Sequence, residues 1–275
     1  MVREFEFLPA DFDRVRRLIH QKAGISLSDL KQDMVYSRLA RRLRATNSPS
    51  FAAYLDRLER TGGAEWEQFV NSLTTNLTSF FRESHHFPLL ADFLKKRGGR
   101  PTRIWCCAAS TGEEPYSIAM TVFEALGGSA GGTSIIASDI DTGVLAVARA
   151  GQYGGDRVER LEAERLRRFF TESPAAAGKS FTVRAELRRI VDFRQINLLD
   201  ASWSLGGTVD VIFCRNVMIY FDKATQYRVL SSFAKVLAPD GLLFAGHSES
   251  FLHAADLFRS LGKTVYQPVG SARRG

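Results

Sequence analysis

Residues 103–116, Arg103-Ile-Trp-Cys-Cys-Ala-Ala-Ser-Thr-Gly-Glu-Glu-Pro-Tyr116, decide how the chain folds. The apolar run 104–109 ends in Ser110-Thr111-Gly112, and an amphipathic stretch follows over 113–126. A buried strand, a tight turn and a helix form the opening unit of a nucleotide-binding α/β sheet. The turn has neither the G-x-G-x-x-G of a dinucleotide site nor the G-K-[ST] of a P-loop. In their place, Glu113 and Glu114 put two carboxylates in the first helical turn. Acid at that end repels a pyrophosphate and favours a cationic, hydroxyl-rich ligand. S-adenosylmethionine, with its sulfonium, amine and ribose, answers to that chemistry.

Outward from this stretch, the chain divides into three zones. Residues 1–97 show only helical periodicity, with one apolar stripe of Phe12, Val15, Leu18 and Ile19, a second of Met34, Val35, Leu39 and Leu43, and a third of Phe51, Tyr54, Leu55 and Leu58. Gly24 and the Asn47-Ser48-Pro49 turn separate them. From 103 onward strands are expected at 103–109, 133–138, 210–214 and 241–245, and helices at 113–126, 141–150 and 222–237. Between 151 and 197 a charged helix (162–170), a small-residue loop (173–178) and two short alternating runs (180–184 and 188–193) break the α/β rhythm. They read as an inserted antiparallel subdomain.

At 275 residues the chain is long enough for one large domain or two smaller ones with cores of their own. Apolar content of 45% and charged content of 24% are those of a soluble globular protein. No run approaches the length of a membrane span, and the N-terminus has no signal-peptide character. Cys106, Cys107 and Cys214 lie in apolar runs and form neither a disulfide framework nor a zinc spacing; buried thiols in a reducing cytoplasm are expected. The net charge of +7 calls for an acidic partner.

Two further elements carry chemistry. Ile136-Ala-Ser-Asp-Ile-Asp141 ends a short strand in Asp139, where doubly wound sheets place an acid on the ribose hydroxyls. Asp141 is better placed to cap the following helix. Val211-Ile-Phe-Cys-Arg-Asn-Val-Met-Ile-Tyr-Phe221 runs from a strand into Arg215, Asn216 and Tyr220, at the end of the sheet where ligands bind. For Tyr220 a core tyrosine with a satisfied hydroxyl is an equally good reading.

Six stretches together resemble one family. They are Thr74-Thr-Asn-Leu-Thr-Ser-Phe-Phe-Arg-Glu-Ser-His-His-Phe87, Ala109-Ser-Thr-Gly-Glu-Glu-Pro-Tyr-Ser117, Ala137-Ser-Asp-Ile-Asp141, Asn197-Leu-Leu199, Phe213-Cys-Arg-Asn-Val-Met-Ile-Tyr-Phe-Asp222 and Pro239-Asp-Gly-Leu-Leu-Phe-Ala-Gly-His-Ser-Glu249. In order and over roughly residues 8–267, they resemble the chemotaxis receptor methyltransferases, the CheR family. Only the tail 268–275 is unassigned.

The resemblance implies a Rossmann-like α/β methyltransferase sheet (86–275) with an inserted small β-subdomain (152–196) behind an N-terminal all-helical domain (1–85). It implies a cytoplasmic enzyme, expected to be a monomer, that moves a methyl group from S-adenosylmethionine to glutamate side chains of methyl-accepting chemotaxis receptors. S-adenosylhomocysteine is the product, and the ester serves chemotactic adaptation. The family's cofactor contacts fall on Asn76, Thr78, Arg82, Glu114, Asp139, Asn197, Leu198, Cys214, Arg215 and Asn216. Arg82 and Tyr220 match the residues beside the transferring methyl; Glu113 is left to serve the helix N-terminus.

Residue chemistry agrees. A glutamate side chain, with an unperturbed pKa near ~4.3, is already ionised at neutral pH and needs no general base. Arg82 and Tyr220 are therefore expected to position rather than transfer protons. Adjacent histidines on a helix diverge by about a hundred degrees, so His85 and His86 are expected to be structural and no metal site is expected. His247 is expected to hold a structural hydrogen bond.

The cations have an expected address. Lys31, Arg38, Arg41 and Arg42 crowd one helix whose other side is apolar, a solvated face in an arbitrary protein. Beside a glutamate methyltransferase it becomes a docking face for the acidic receptor bundle. Some family members also hold a C-terminal receptor pentapeptide on the β-subdomain, which the sequence leaves open here. Two other classes compete. A nucleic-acid methyltransferase lacks support, since no Pro-Pro follows Asn216 and no aromatic-basic platform is present. A silent cofactor-binding scaffold is disfavoured by the intact Arg82, Glu114, Asp139 and Tyr220.

Overall fold

The computed structural model describes residues 3–175 and 178–270. The unassigned tail lies largely outside the described residues. Four helices come first: α1 (Pro9–Ala23), α2 (Gln32–Ala45), α3 (Phe51–Thr61) and α4 (Gly63–Leu73). The three apolar stripes are their inner faces, buried in one cluster, with Met34 alone only partly covered. α1 ends where Gly24 takes φ 71° and its amide donates to the carbonyl of His20. Glycine adopts that left-handed cap without strain. Ser50 starts α3 by accepting from the Ala53 amide at 3.2 Å.

The rest of the chain builds a sheet covered on both faces. Its elements are α5 (His86–Lys96), β1 (Arg103–Cys106), α6 (Glu113–Ala125), β2 (Ser134–Asp139), α7 (Thr142–Ala150), β3 (Gln152–Gly154), α8 (Gly155–Val158), α9 (Ala163–Phe169), β4 (Phe170–Ala175) and β5 (Gly178–Val183). Then come α10 (Ala185–Arg188), β6 (Val191–Gln195), β7 (Val209–Cys214), α11 (Lys223–Val236), β8 (Leu237–Ala245), β9 (Phe258–Gly262) and β10 (Val265–Pro268). The seven-stranded sheet runs β6-β2-β1-β7-β8-β10-β9, parallel up to β8 and antiparallel thereafter. Alternation sends Ile104 and Cys106 into one core and Trp105 and Cys107 into the other. Strands β1 and β7 are covered on both faces, which explains their continuous apolar runs.

Chain order leaves β1 in opposite directions, to β2 and β6 on one side and to β7 and β8 on the other. The crevice at such a reversal, beyond the carboxyl ends of the strands, is where open α/β sheets bind ligands. β1 hands over to α6 through Gly112 at φ 99°. A Cβ there would meet the Tyr153 hydroxyl at 2.7 Å and Ala148 Cβ at 2.9 Å, so the turn needs glycine both for its backbone angle and for space.

Three elements differ from the sequence expectation. β6, which takes up the second half of the run 188–193, does not join the small antiparallel sheet; it pairs parallel with β2, Ile135 opposite Val191. Alternation reports which face is buried and says nothing about which strand is the neighbour. In the stretch 173–178, expected as a loop, 173–175 belong to β4 and Gly178 to β5, with 176–177 outside the described residues; Pro174 is tolerated because β4 is an edge strand of the β3-β5-β4 sheet. The β9–β10 hairpin closing the main sheet was not anticipated.

Candidate active site

A pocket of about 420 Å³ opens at the reversal, between the carboxyl ends of β1, β2 and β7 and the helical domain. Asn76, Thr78, Arg82, Glu114 and Asp139 line it, together with Asn197, Leu198, Arg215, Asn216 and Tyr220. Lys31 stands on the same wall. Cys214 does not reach it: its side chain is fully buried in the sheet, and Cys107 lines the pocket instead. Arg38, Arg41 and Arg42 also lie outside the lining.

An alternating set of charges lies in and behind the floor, with Glu114 and Arg215 lining the pocket and Glu83 behind them. Glu114, in the first turn of α6, accepts from Arg215 Nη1 at 2.7 Å and from the Cys106 thiol at 3.3 Å. Burial pushes the Glu114 carboxyl up, against the pull of the Arg215 charge. Arg215 also donates to the carbonyl oxygen of Arg82 and lies 3.4 Å from Glu83 Oε2. Burial opposes the charge on Glu83, but hydrogen bonds from His247 and Asn216 and the Arg215 charge outweigh it and hold the carboxyl at about 2. Arg82 itself bends back to donate to the Leu77 carbonyl at 3.0 Å, which sets its place on the rim.

Asp139 closes β2. Its Oδ2 accepts from the Ser110 amide at 2.8 Å and its Oδ1 from the Asp141 amide at 3.0 Å. Burial nonetheless pushes its carboxyl up to about 6, the hydrogen bonds pulling the other way. Asp141 caps α7 through the amides of Gly143 and Val144, and its second oxygen accepts from Asn76 Nδ2 at 2.7 Å and Thr74 Oγ1 at 2.8 Å. The cap thus also fixes the segment that carries Asn76 and Thr78. Glu113, fully buried, pairs with Arg157 of the small subdomain and accepts from Thr111 Oγ1 at 2.7 Å.

The helical domain is stitched onto the pocket. Asn197 Nδ2 donates to the Lys22 carbonyl at 2.7 Å, the Ser26 amide donates to the Tyr220 carbonyl at 2.8 Å, and Ile25 bridges to Phe221. Arg38 donates to the Thr74 carbonyl at 2.6 Å, and so braces the pocket wall rather than facing solvent. Arg42 grips Glu65 through two bonds of 2.9 and 2.7 Å, and Tyr54 adds a third at 2.8 Å. Of the four expected docking cations, Lys31 and Arg41 are the exposed ones.

Glu249 was passed over as a single residue, although its stretch was singled out. It accepts from the amides of Asn216 at 3.0 Å, Met218 at 2.8 Å and Gly246 at 2.5 Å, and so folds the loop after β7, in which Asn216 sits at φ 58°. A buried carboxylate that serves backbone amides leaves no spacing signature. His247 makes the expected hydrogen bond, from Nδ1 to Glu83 at 2.9 Å. The geometric ground for separating His85 from His86 fails: α5 begins only at His86, Glu83 sits at φ 51°, and the two rings stand 4.1 Å apart. His86 is fully buried and bonded to the Lys263 carbonyl at 3.0 Å. Burial first, then the Arg215 charge, holds its imidazole at about 4.

Two buried carboxylates, Glu114 and Asp139, facing one pocket fit a ligand that brings positive charge and hydroxyls, and would repel a pyrophosphate. Fold and site together define an S-adenosylmethionine-dependent methyltransferase carrying a helical partner domain. The chain matches "CheR methyltransferase, all-alpha domain" over residues 10–74 and "CheR methyltransferase, SAM binding domain" over residues 76–267. It is 55% identical over 270 residues to chemotaxis protein methyltransferase 2 of Pseudomonas aeruginosa, covering 97% of this chain and 96% of that one. It is 50% identical over 267 residues to the chemotaxis protein methyltransferase of Escherichia coli K12, covering 97% and 93%. The chain belongs to the CheR methyltransferase family. It is a chemotaxis methyltransferase that uses S-adenosylmethionine.

Proposed function

We propose that the pocket carries out methyl transfer from S-adenosylmethionine to glutamate side chains of methyl-accepting chemotaxis receptors, with the labour divided among the residues as follows. Bound there, the cofactor supplies an electrophilic methyl on a sulfonium. Asp139, aimed from the end of β2, accepts from the ribose hydroxyls, and Glu114 sets the negative charge that a cationic ligand requires. The loop 76–78, Asn197, Leu198, and Arg215 with Asn216 shape the remaining walls; Cys214 contributes through its backbone position alone.

The attacking carboxylate arrives ionised, so proton removal is no part of the task. What remains is alignment and exclusion of water. Arg82 and Tyr220, both lining the pocket, hold the incoming carboxylate in line without accepting its charge as a tight ion pair would. The single observation that carries this reading is the meeting of Arg82, Tyr220, Glu114 and Asp139 around one pocket.

The receptor's helical bundle docks on the helical domain. Lys31 at the rim and Arg41 further along α2 meet its acidic surface, while Arg38 and Arg42 hold the docking helix in shape. Residues 171–175 of β4 are exposed along an open sheet edge, to which an extended receptor C-terminal peptide would add as a further strand. No helix among the described residues is long and apolar enough to cross a membrane. The enzyme meets its receptors from the cytoplasmic side, where its three buried free thiols stay reduced.

The test is transfer of a labelled methyl group from S-adenosylmethionine to receptor-containing membranes, followed by alkali. Release of the label as methanol identifies a carboxyl ester. Label that survives base identifies a nitrogen acceptor and overturns the reading.

A further inference from the structure

Glu83, His85 and His86 lie just behind the segment that presents Arg82, and none of them lines the pocket. One potential ligand atom from each falls within 4.8 Å of the other two. Proximity alone proves little, but the hydrogen bonding of His86 adds a second observation. Its Nε2 stands 3.0 Å from the Lys263 carbonyl oxygen and 3.1 Å from Thr264 Oγ1. A carbonyl only accepts, so Nε2 carries the proton and Nδ1 presents a lone pair.

That Nδ1 is buried and has no hydrogen-bond partner among the described residues. The nearest acidic atom is Glu83 Oε2 at 3.9 Å. Glu83 is itself an acceptor on every side, taking bonds from the His247 amide and ring and from Asn216 Nδ2. Two acceptors therefore face each other at 3.9 Å with no hydrogen bond between them. An imidazole whose far nitrogen is anchored on a carbonyl, with the near one free beside a carboxylate, is the arrangement of a metal-ligating histidine. The exposed His85 ring closes the third side and gives an ion a way in from solvent.

We propose that Glu83, His85 and His86 bind a divalent ion of the zinc class, with water completing a four-coordinate shell. Two imidazoles and one carboxylate suit zinc and its neighbours among the transition metals; magnesium and calcium prefer an all-oxygen set. Arg215, 3.4 Å from Glu83 Oε2, is not an obstacle of full strength because Glu114 shares its charge. The site is separate from methyl transfer in its ligands and close to it in space, since Glu83 is covalent neighbour to Arg82.

The test is calorimetric titration of Zn²⁺ into the untagged full chain, repeated with Mg²⁺. One equivalent of Zn²⁺ should bind, and His85→Ala, which removes an exposed ring and leaves the core intact, should weaken it at least about tenfold. His86→Gln, with folding checked by circular dichroism, should abolish it. His20, 2.7 Å from Asp222, is the rival. If His20→Ala removes binding, if His85→Ala binds Zn²⁺ as tightly as the parent, or if Mg²⁺ binds equally well, the proposal fails.

Discussion

Arg215 and Glu114 join the two strand ends that flank the chain reversal, Nη1 to Oε2 at 2.7 Å, with side chains only 1% and 11% exposed. Arg215 comes from the end of β7 and Glu114 from the helix after β1, so one ion pair sets the width of the crevice. Two buried charges repay their desolvation only while both are present. Arg215→Ala strands Glu114 and Glu83 together. It is expected to cost about 3–5 kcal/mol in urea unfolding and to abolish cofactor binding by calorimetry. A variant that unfolds like the parent would remove the pair from the account.

Asp139 carries a pH signature. Its carboxyl stands at about 6 in the fold against an ordinary 3.8. Between those values the native state keeps a proton that the unfolded chain has lost, so stability falls as pH rises through that window and stays reduced above it. The difference of about two units amounts to an upper bound of about 3 kcal/mol. Asp139→Asn gives up one of the two accepted amide bonds at every pH, but it removes the titration, so the melting temperature of the variant relative to the parent should rise between about pH 4 and pH 7. The same variant should weaken S-adenosylmethionine binding by about tenfold or more, as befits the loss of a charged acceptor of hydroxyls.

Tyr220→Phe separates positioning from proton transfer. With an acceptor already ionised, losing the hydroxyl should lower kcat by about 10- to 100-fold and leave the shape of the pH–rate profile near neutrality intact. A proton-transfer limb that disappears in Tyr220→Phe would assign the phenol an acid–base role.

The cations of α2 should divide by what they touch. Arg41→Ala is expected to raise KM for receptor severalfold, with cofactor affinity and melting temperature unchanged. Arg42→Ala leaves the half-buried Glu65 carboxylate, still bonded by Tyr54, without its cationic partner and should cost about 1–3 kcal/mol of stability, measured by denaturant unfolding. Equal effects from both would remove the distinction between docking and bracing.

The reach of sequence reasoning follows the range of the interactions involved. Helix faces such as Phe12 to Ile19, and the strand–turn–helix of residues 103–116, are set by local periodicity and by backbone angles a few residues apart, and were legible. The partner of β6 was not, because residues 188–193 alternate in the same way whichever sheet they join. In the pocket, charge and motif order pointed to Glu114 and Asp139. Glu249 and Glu83 escaped notice because their worth lies in amides and side chains far along the chain, at Met218 and His247. Arg42 looked free for the same reason: Glu65, its partner, lies on another helix 23 positions on.

The stitching of Lys22 to Asn197 and of Ser26 to Tyr220 has a bearing on inheritance. The helical half supplies a wall of the pocket and, on the function proposed above, a face for the receptor, so the halves are poor candidates for free exchange between relatives. A chimera that couples this catalytic half to a foreign helical half would bring new receptor preference and a misfitted cofactor chamber together, unless the residues on both sides of the seam travelled with it. Adaptation to a new receptor is therefore easier by drift at exposed positions of α2 than by recombination at the domain boundary.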